Sequence, residues 1–178
     1  MAGKVTVVGA GFYGSTTAMR LAEYNVFDTV VLTDILEGKP EGLALDMNQS
    51  RSIEGFETKI IGATTTADGA GYEATANSDV VVITAGLPRK PGMSRDDLVK
   101  DNFAIMQSIA PKLVEHCPNA VVIPVANPLD AMSQALFKLT KFPRERILGM
   151  AGVLDSARMS TFVAMELGVS VEIGRAHV

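Results

Sequence analysis

Short runs of β-branched residues alternate along the chain with longer stretches whose apolar side chains return every three or four positions. Val5-Thr6-Val7-Val8 is the first run, and Gly9 stops it. Residues 12–23 then place Ala18, Leu21 and Ala22 on one helical face. Thr29-Val30-Val31-Leu32 predicts a second strand, the stretch carrying Leu43, Leu45 and Met47 a helix, and Lys59-Ile60-Ile61 a weaker third strand. Val80-Val81-Val82-Ile83 is apolar on both faces, as a central parallel strand between two helical layers must be. Ser94, with Asp97 three residues on, has the spacing of a capping box, although Asp is a poorer partner there than Glu. The helix it opens carries Leu98, Ile105, Ile109 and Leu113 at helical spacing, and Pro111 is expected to kink it. Val121-Val122-Ile123 predicts a fifth strand. Pro128 suits a helix first turn, where its missing N–H costs nothing. Arg146-Ile147-Leu148-Gly149 is compatible with a sixth strand, and residues 154–167 predict a last helix ended by Gly168. Residues 63–77 are small, polar and Gly-rich, and read either as a surface loop or as a poorly ordered helix start.

Strand following helix following strand implies crossover connections. The fold class is therefore α/β, a doubly wound parallel sheet with helices on both faces. Composition adds boundaries. Of 178 residues, 47% are hydrophobic and 20% charged, enough apolar surface for a core. Sixteen cations against 20 carboxylates leave −4, which excludes an overall basic nucleic-acid binder. No apolar run approaches the roughly 20 residues that span a bilayer, so no membrane partner is expected. The first residues run straight into a strand without room for a signal peptide. Cys117 is a lone cysteine, so neither a disulfide framework nor a cysteine metal cluster is expected, and no metal site is assigned. The expectation is a soluble, cytoplasmic protein.

Gly9-Ala10-Gly11-Phe12-Tyr13-Gly14 is a Gly-x-Gly-x-x-Gly between a strand and a helix. There the glycines permit a tight turn, close approach of a pyrophosphate and close helix–strand packing, while the helix N-terminus faces the anion. Asp34 ends the second strand 20 residues after Gly14, the spacing of an acid that accepts both ribose hydroxyls. Its charge would repel a 2′-phosphate, which favours NAD over NADP.

Ligands of open α/β sheets bind at the carboxyl ends of the strands. Thr84-Ala85-Gly86 ends the fourth strand and Asn127 follows the fifth. The loop after Gly86 carries Arg89, Lys90 and Arg95 between Pro and Gly residues. It reads as a mobile lid over an anionic substrate or, on composition alone, as a solvated basic loop. Asp155 and Arg158 lie three apart on the last helix, either as a surface ion pair or as part of a site.

Taken together, the glycine motif, Thr84-Ala85-Gly86, the loop from Arg89 to Arg95, Val125-Ala126-Asn127-Pro128 and Leu154-Asp155-Ser156-Ala157-Arg158 resemble the lactate/malate dehydrogenase family, in particular its bacterial lactate-dehydrogenase-like malate branch. The resemblance runs in order from Lys4 to about Glu172. It implies a Rossmann NAD-binding domain over residues 1–150 and the start of an incomplete substrate domain over residues 151–172. It implies reversible hydride transfer between malate and NAD, a small dicarboxylate substrate, and a homodimer or homotetramer for the full-length form. By resemblance, residues 9–14 (Gly9, Ala10, Gly11, Phe12, Tyr13 and Gly14), Asp34, Asn102, Val125 and Asn127 contact the cofactor. Arg89 meets the second carboxylate, where lactate enzymes carry an uncharged Gln. Arg95 is the lid arginine that polarises the reacting carbonyl. Arg158 holds the common carboxylate, Asn127 bonds the substrate oxygen, and Asp155 orients the catalytic His.

That His is missing from the pattern. In the family it lies beyond Arg158 in a Gly-His-Gly-like context. His116 sits far in sequence from Asp155, and His177 lies in Gly174-Arg175-Ala176-His177-Val178, which does not match. The run Ile173-Gly174-Arg175-Ala176-His177-Val178 coincides with a one-frame translation of a common sequencing adapter, so residues 173–178 are expected to be a non-native tail. The expectation is a fragment without turnover. Two other readings are a fragment of a lactate or other 2-hydroxyacid dehydrogenase, and a non-catalytic NAD-binding module. Arg89 argues against the first, because an uncharged substrate tail leaves a guanidinium unpaired. Three arginines and an Asn at substrate positions argue against the second.

Overall fold

The computed structural model describes residues 3–174, without the side chains of 173 and 174. His177 lies outside the described residues, as does most of the tail expected to be non-native. Five parallel strands, β1 (Lys4–Val8), β2 (Thr29–Asp34), β3 (Lys59–Thr64), β4 (Val80–Ile83) and β5 (Val121–Pro124), form one sheet in the order β3-β2-β1-β4-β5. Among the described residues six α-helices accompany them: α1 (Phe12–Glu23), α2 (Lys39–Gln49), α3 (Arg51–Glu54), α4 (Arg95–His116), α5 (Leu129–Thr140) and α6 (Val153–Leu167).

Alternation along each strand sends side chains to two cores. Val5 and Val7 of β1, Val30 and Leu32 of β2 and Val82 of β4 pack against Ala18 and Ala22 of α1 and Ala44 and Met47 of α2. Val8, Val81, Ile83 and Val122 pack on the other face against Met106, Ile109 and Leu113 of α4 and Met132 and Leu136 of α5. Full burial of one such large side chain contributes roughly 1.5–3 kcal/mol. The two apolar layers therefore hold the sheet between its helices.

Several sequence-based expectations change. β3 extends through Gly62, Ala63 and Thr64, because Leu32, Thr33 and Asp34 of β2 offer them parallel partners. Residues 65–78 are not a free surface loop: Thr65, Tyr72, Thr75 and Ser78 are buried, and Tyr72–Thr75 forms a 3₁₀ turn. Cys117, 1% exposed, donates from Sγ to the Thr75 carbonyl at 3.1 Å. Pro128 caps α5 rather than entering its first turn. A sixth strand does not form. Ile147 makes a single bridge to Val122, and Leu148 and Met150 donate to the carbonyls of Val122 and Pro124. The next rung would need an N–H from Pro124, which has none.

The capping box is complete. The Ser94 hydroxyl accepts from the Asp97 N–H at 3.1 Å, and the Asp97 carboxylate accepts from the Ser94 N–H at 3.1 Å. α6 is the exception to the layering. It buries only Ala164, while Met159, Phe162, Met165 and Leu167 face solvent. Among the described residues no helix is long and apolar enough to cross a membrane.

Candidate functional site

The strand order reverses between β1 and β4, so the loops after these two neighbours diverge and open a cleft. Gly9 leaves β1 at φ 104°, and a Cβ on it would lie 2.7 Å from the Ala85 nitrogen. A Cβ on Gly14 would collide with the Gly9 carbonyl oxygen, so only glycine lets α1 seat against the strand end. The Thr84 hydroxyl lies 3.0 Å from both the Val8 and Gly9 carbonyl oxygens and fastens the end of β4 to the turn. Gly11, in contrast, has open space where its Cβ would be. As N-cap of α1 it offers no side-chain acceptor to the first-turn N–H groups, which suits an anion.

Asp34 stands opposite. Its Oδ2 accepts from the Ala10 N–H at 2.6 Å and its Oδ1 from the Leu36 N–H at 3.0 Å. Each carboxylate oxygen keeps a further lone pair for a ribose hydroxyl. Gly9, Gly11 and Asp34 line a first chamber of about 430 Å³ together with Thr65, Tyr72 and Ser108. Burial pushes the Tyr72 phenol above its ordinary pKa, opposed by a hydrogen bond with Thr65.

A second chamber of about 750 Å³ adjoins it, and Thr84, Gly86 and Leu87 line both. Its walls bring together Tyr13, Arg89, Val125, Asn127, Asp155 and Arg158, from four separate stretches of chain. Arg89 donates from Nε to the Met93 carbonyl at 3.1 Å, within its own loop. Arg158 meets Asp155 at 3.5 Å, but the two side chains are 61% and 84% exposed. Such an open pair contributes well under about 1 kcal/mol, and an incoming anion can displace it.

The profile of the lactate/malate dehydrogenase NAD binding domain matches residues 3–149. The chain belongs to the lactate/malate dehydrogenase family. A malate dehydrogenase of Nostoc punctiforme is 55% identical over 166 residues, covering 93% of this chain and 49% of the relative. A malate dehydrogenase from Picrophilus torridus in apo form superposes with a TM-score of 0.90 at 42% identity, over 97% of this chain and 53% of that one. A Cryptosporidium parvum lactate dehydrogenase, complexed with lactic acid and nicotinamide adenine dinucleotide, superposes with a TM-score of 0.86 at 40% identity, over 97% of this chain and 52% of that one. The chain spans about half the length of the curated relatives it matches.

Within this dehydrogenase-family domain the remaining sequence-predicted residues are placed differently. Phe12 is 98% exposed. Ala10 presents only its backbone N–H, to Asp34. Arg95 is exposed at the start of α4 and does not line the second chamber. Asn102 is wholly buried behind the cleft. His116 ends α4 about 30 Å along the helix from Arg95, with its ring stacked on Tyr72 at 6.4 Å. Sequence reasoning missed Thr65, Tyr72 and Ser108 on the first chamber: Thr65 and Tyr72 lie in a polar stretch without periodic signal, and Ser108 is a polar position of α4 that periodicity alone does not single out.

Proposed function

We propose that this domain anchors cofactor and substrate in an NAD-dependent malate dehydrogenase. The observation that carries the reading is the second chamber, where Arg89, Asn127, Asp155 and Arg158 line one wall system next to the chamber of Asp34. When bound, NAD accepts or returns the hydride. Asp34 and the N-terminus of α1 hold its adenosine and diphosphate portions. Arg158 offers a planar fork to the carboxylate shared by all 2-oxo acids, after leaving its weak pair with Asp155. Arg89 neutralises a second carboxylate and so selects a dicarboxylate. The Asn127 amide orients the substrate oxygen, and Asp155 stands ready to orient an imidazole.

Among the described residues no imidazole lines either chamber. The 178-residue chain is therefore expected to give no malate-dependent NADH formation by itself, and measurable turnover would refute this. The substrate reading is tested in a protein that carries the rest of the relatives' length. Arg89→Gln should lower kcat/KM for oxaloacetate at least a hundredfold and narrow or invert its preference over pyruvate. An unchanged oxaloacetate preference would overturn the assignment and return attention to a monocarboxylate substrate.

A further inference from the structure

We infer that Asn102 is a positioning residue, acting through Leu87 and Asn127, that decides how the second chamber receives the nicotinamide half of the cofactor. This rests on the two-chamber reading above. Asn102 lies inside α4, has no exposed surface, and lines neither chamber. Its side-chain amide is nevertheless fully committed. Oδ1 accepts from the Leu87 N–H at 2.7 Å, and Nδ2 donates to the Leu87 carbonyl at 3.2 Å and to the Asn127 carbonyl at 2.6 Å.

These are backbone groups of two different loops. Leu87 opens the arginine-bearing loop after β4 and lines both chambers. Asn127 follows β5 and lines only the second. Gly86 sits between them, where a Cβ would lie 3.1 Å from Ala126 Cβ and 3.4 Å from Asn102 Oδ1. One buried amide thus holds the base of the arginine-bearing loop at a fixed offset from the Asn127 wall. No other residue type offers one acceptor and two donors in this shape at this length. Asp34 and the N-terminus of α1 take part in none of these bonds, whereas Leu87 and Asn127 both line the second chamber, so the role of Asn102 falls on that half of the ligand.

That confinement is measurable as a ligand split. Asn102→Ala in the 178-residue chain should weaken NADH about tenfold and leave ADP-ribose, which lacks the nicotinamide, within twofold of the parent. A merely structural role would weaken both together. Asn102→Asp adds a second readout. Its carboxylate faces two carbonyls and cannot donate, but once protonated it regains one donor. Its NADH affinity should therefore recover as pH falls from 8.5 towards 6, while its ADP-ribose affinity stays level. Equal losses for both ligands, no loss of NADH affinity, or a parent chain that binds ADP-ribose but gains nothing from nicotinamide would each overturn the inference. Failure of the dicarboxylate reading would appear only in the oxaloacetate–pyruvate comparison and would leave this split intact.

Discussion

Two glycines of one motif do different physical work, and substitution separates them. A methyl group on Gly14 meets the Gly9 carbonyl, whereas one on Gly11 meets nothing. Gly14→Ala should therefore lower the melting temperature and NADH binding together, by an overpacking cost of roughly 1–3 kcal/mol. Gly11→Ala should melt close to the parent yet bind NADH at least tenfold more weakly, because its methyl occupies the space left for the diphosphate. Thermal melts paired with fluorescence titrations decide this. Asp34 makes a sharper case. On the proposed reading, Asp34→Ser removes both the ribose acceptor and the charge that repels a 2′-phosphate. NADH should weaken about tenfold, with a smaller loss or a gain for NADPH, measured by the same titration. Asp34 and the glycines were legible in the sequence because their chemistry is local. Asn102 was legible only in part. It falls on the same helical face as Leu98 and Met106, which marks it as inward-facing, but nothing in the sequence shows which carbonyls await it.

At the scale of the element, α4 is the best-specified helix. Its Ser94 side chain closes the box with Asp97, and Ser94→Ala should cost about 1 kcal/mol, read as a lower melting temperature. Hydrogen bonds from the Ser94 side chain and then its backbone hold the Asp97 carboxyl below its ordinary pKa. A depressed carboxylate stabilises the fold fully above its unfolded pKa and loses that contribution as pH falls through the folded one. The gap between the parent and Ser94→Ala should thus be constant near neutrality and shrink below about pH 4, in parallel acid melts. α1, β4 and the end of α6 at Gly168 follow the sequence-based reading closely, because periodicity and capping act over a few residues. The last three residues of β3, the turn at Tyr72 and the failed sixth strand do not. Each depends on a partner distant in the chain: β2 for β3, Cys117 for Thr75, and Pro124 for the rung that Gly149 cannot make.

Across the whole molecule, order is uneven. The sheet and its two cores enclose Leu32, Phe56, Ile83, Met106, Leu113, Met132 and Leu136, while α6 displays Met159, Phe162, Met165 and Leu167 to water. A helix that buries a single alanine gains little from packing and exchanges its amide protons early. Hydrogen exchange should therefore release α6 well before α4. An apolar face of this extent also favours association. Replacing Phe162 and Met165 with Ser should reduce light scattering at high concentration and leave the melting temperature of the domain within about 2 °C of the parent, since ΔΔG at exposed positions stays near ±0.5 kcal/mol. The same exposure explains the weak pairing of Asp155 and Arg158, which ride on this helix.

The enclosed sulfur of Cys117 has a practical consequence. With one thiol per described chain, shut beneath the Tyr72–Thr75 turn, an electrophilic dye can react only when that seam parts. Each labelled molecule then records a single opening event, and the labelling half-time becomes a clock for breathing of the domain. A ligand that favours the closed form slows the clock by the factor 1 + [L]/Kd. Nucleotide affinity can thus be timed at the opposite end of α4 from the arginine-bearing loop, without any probe in the cleft.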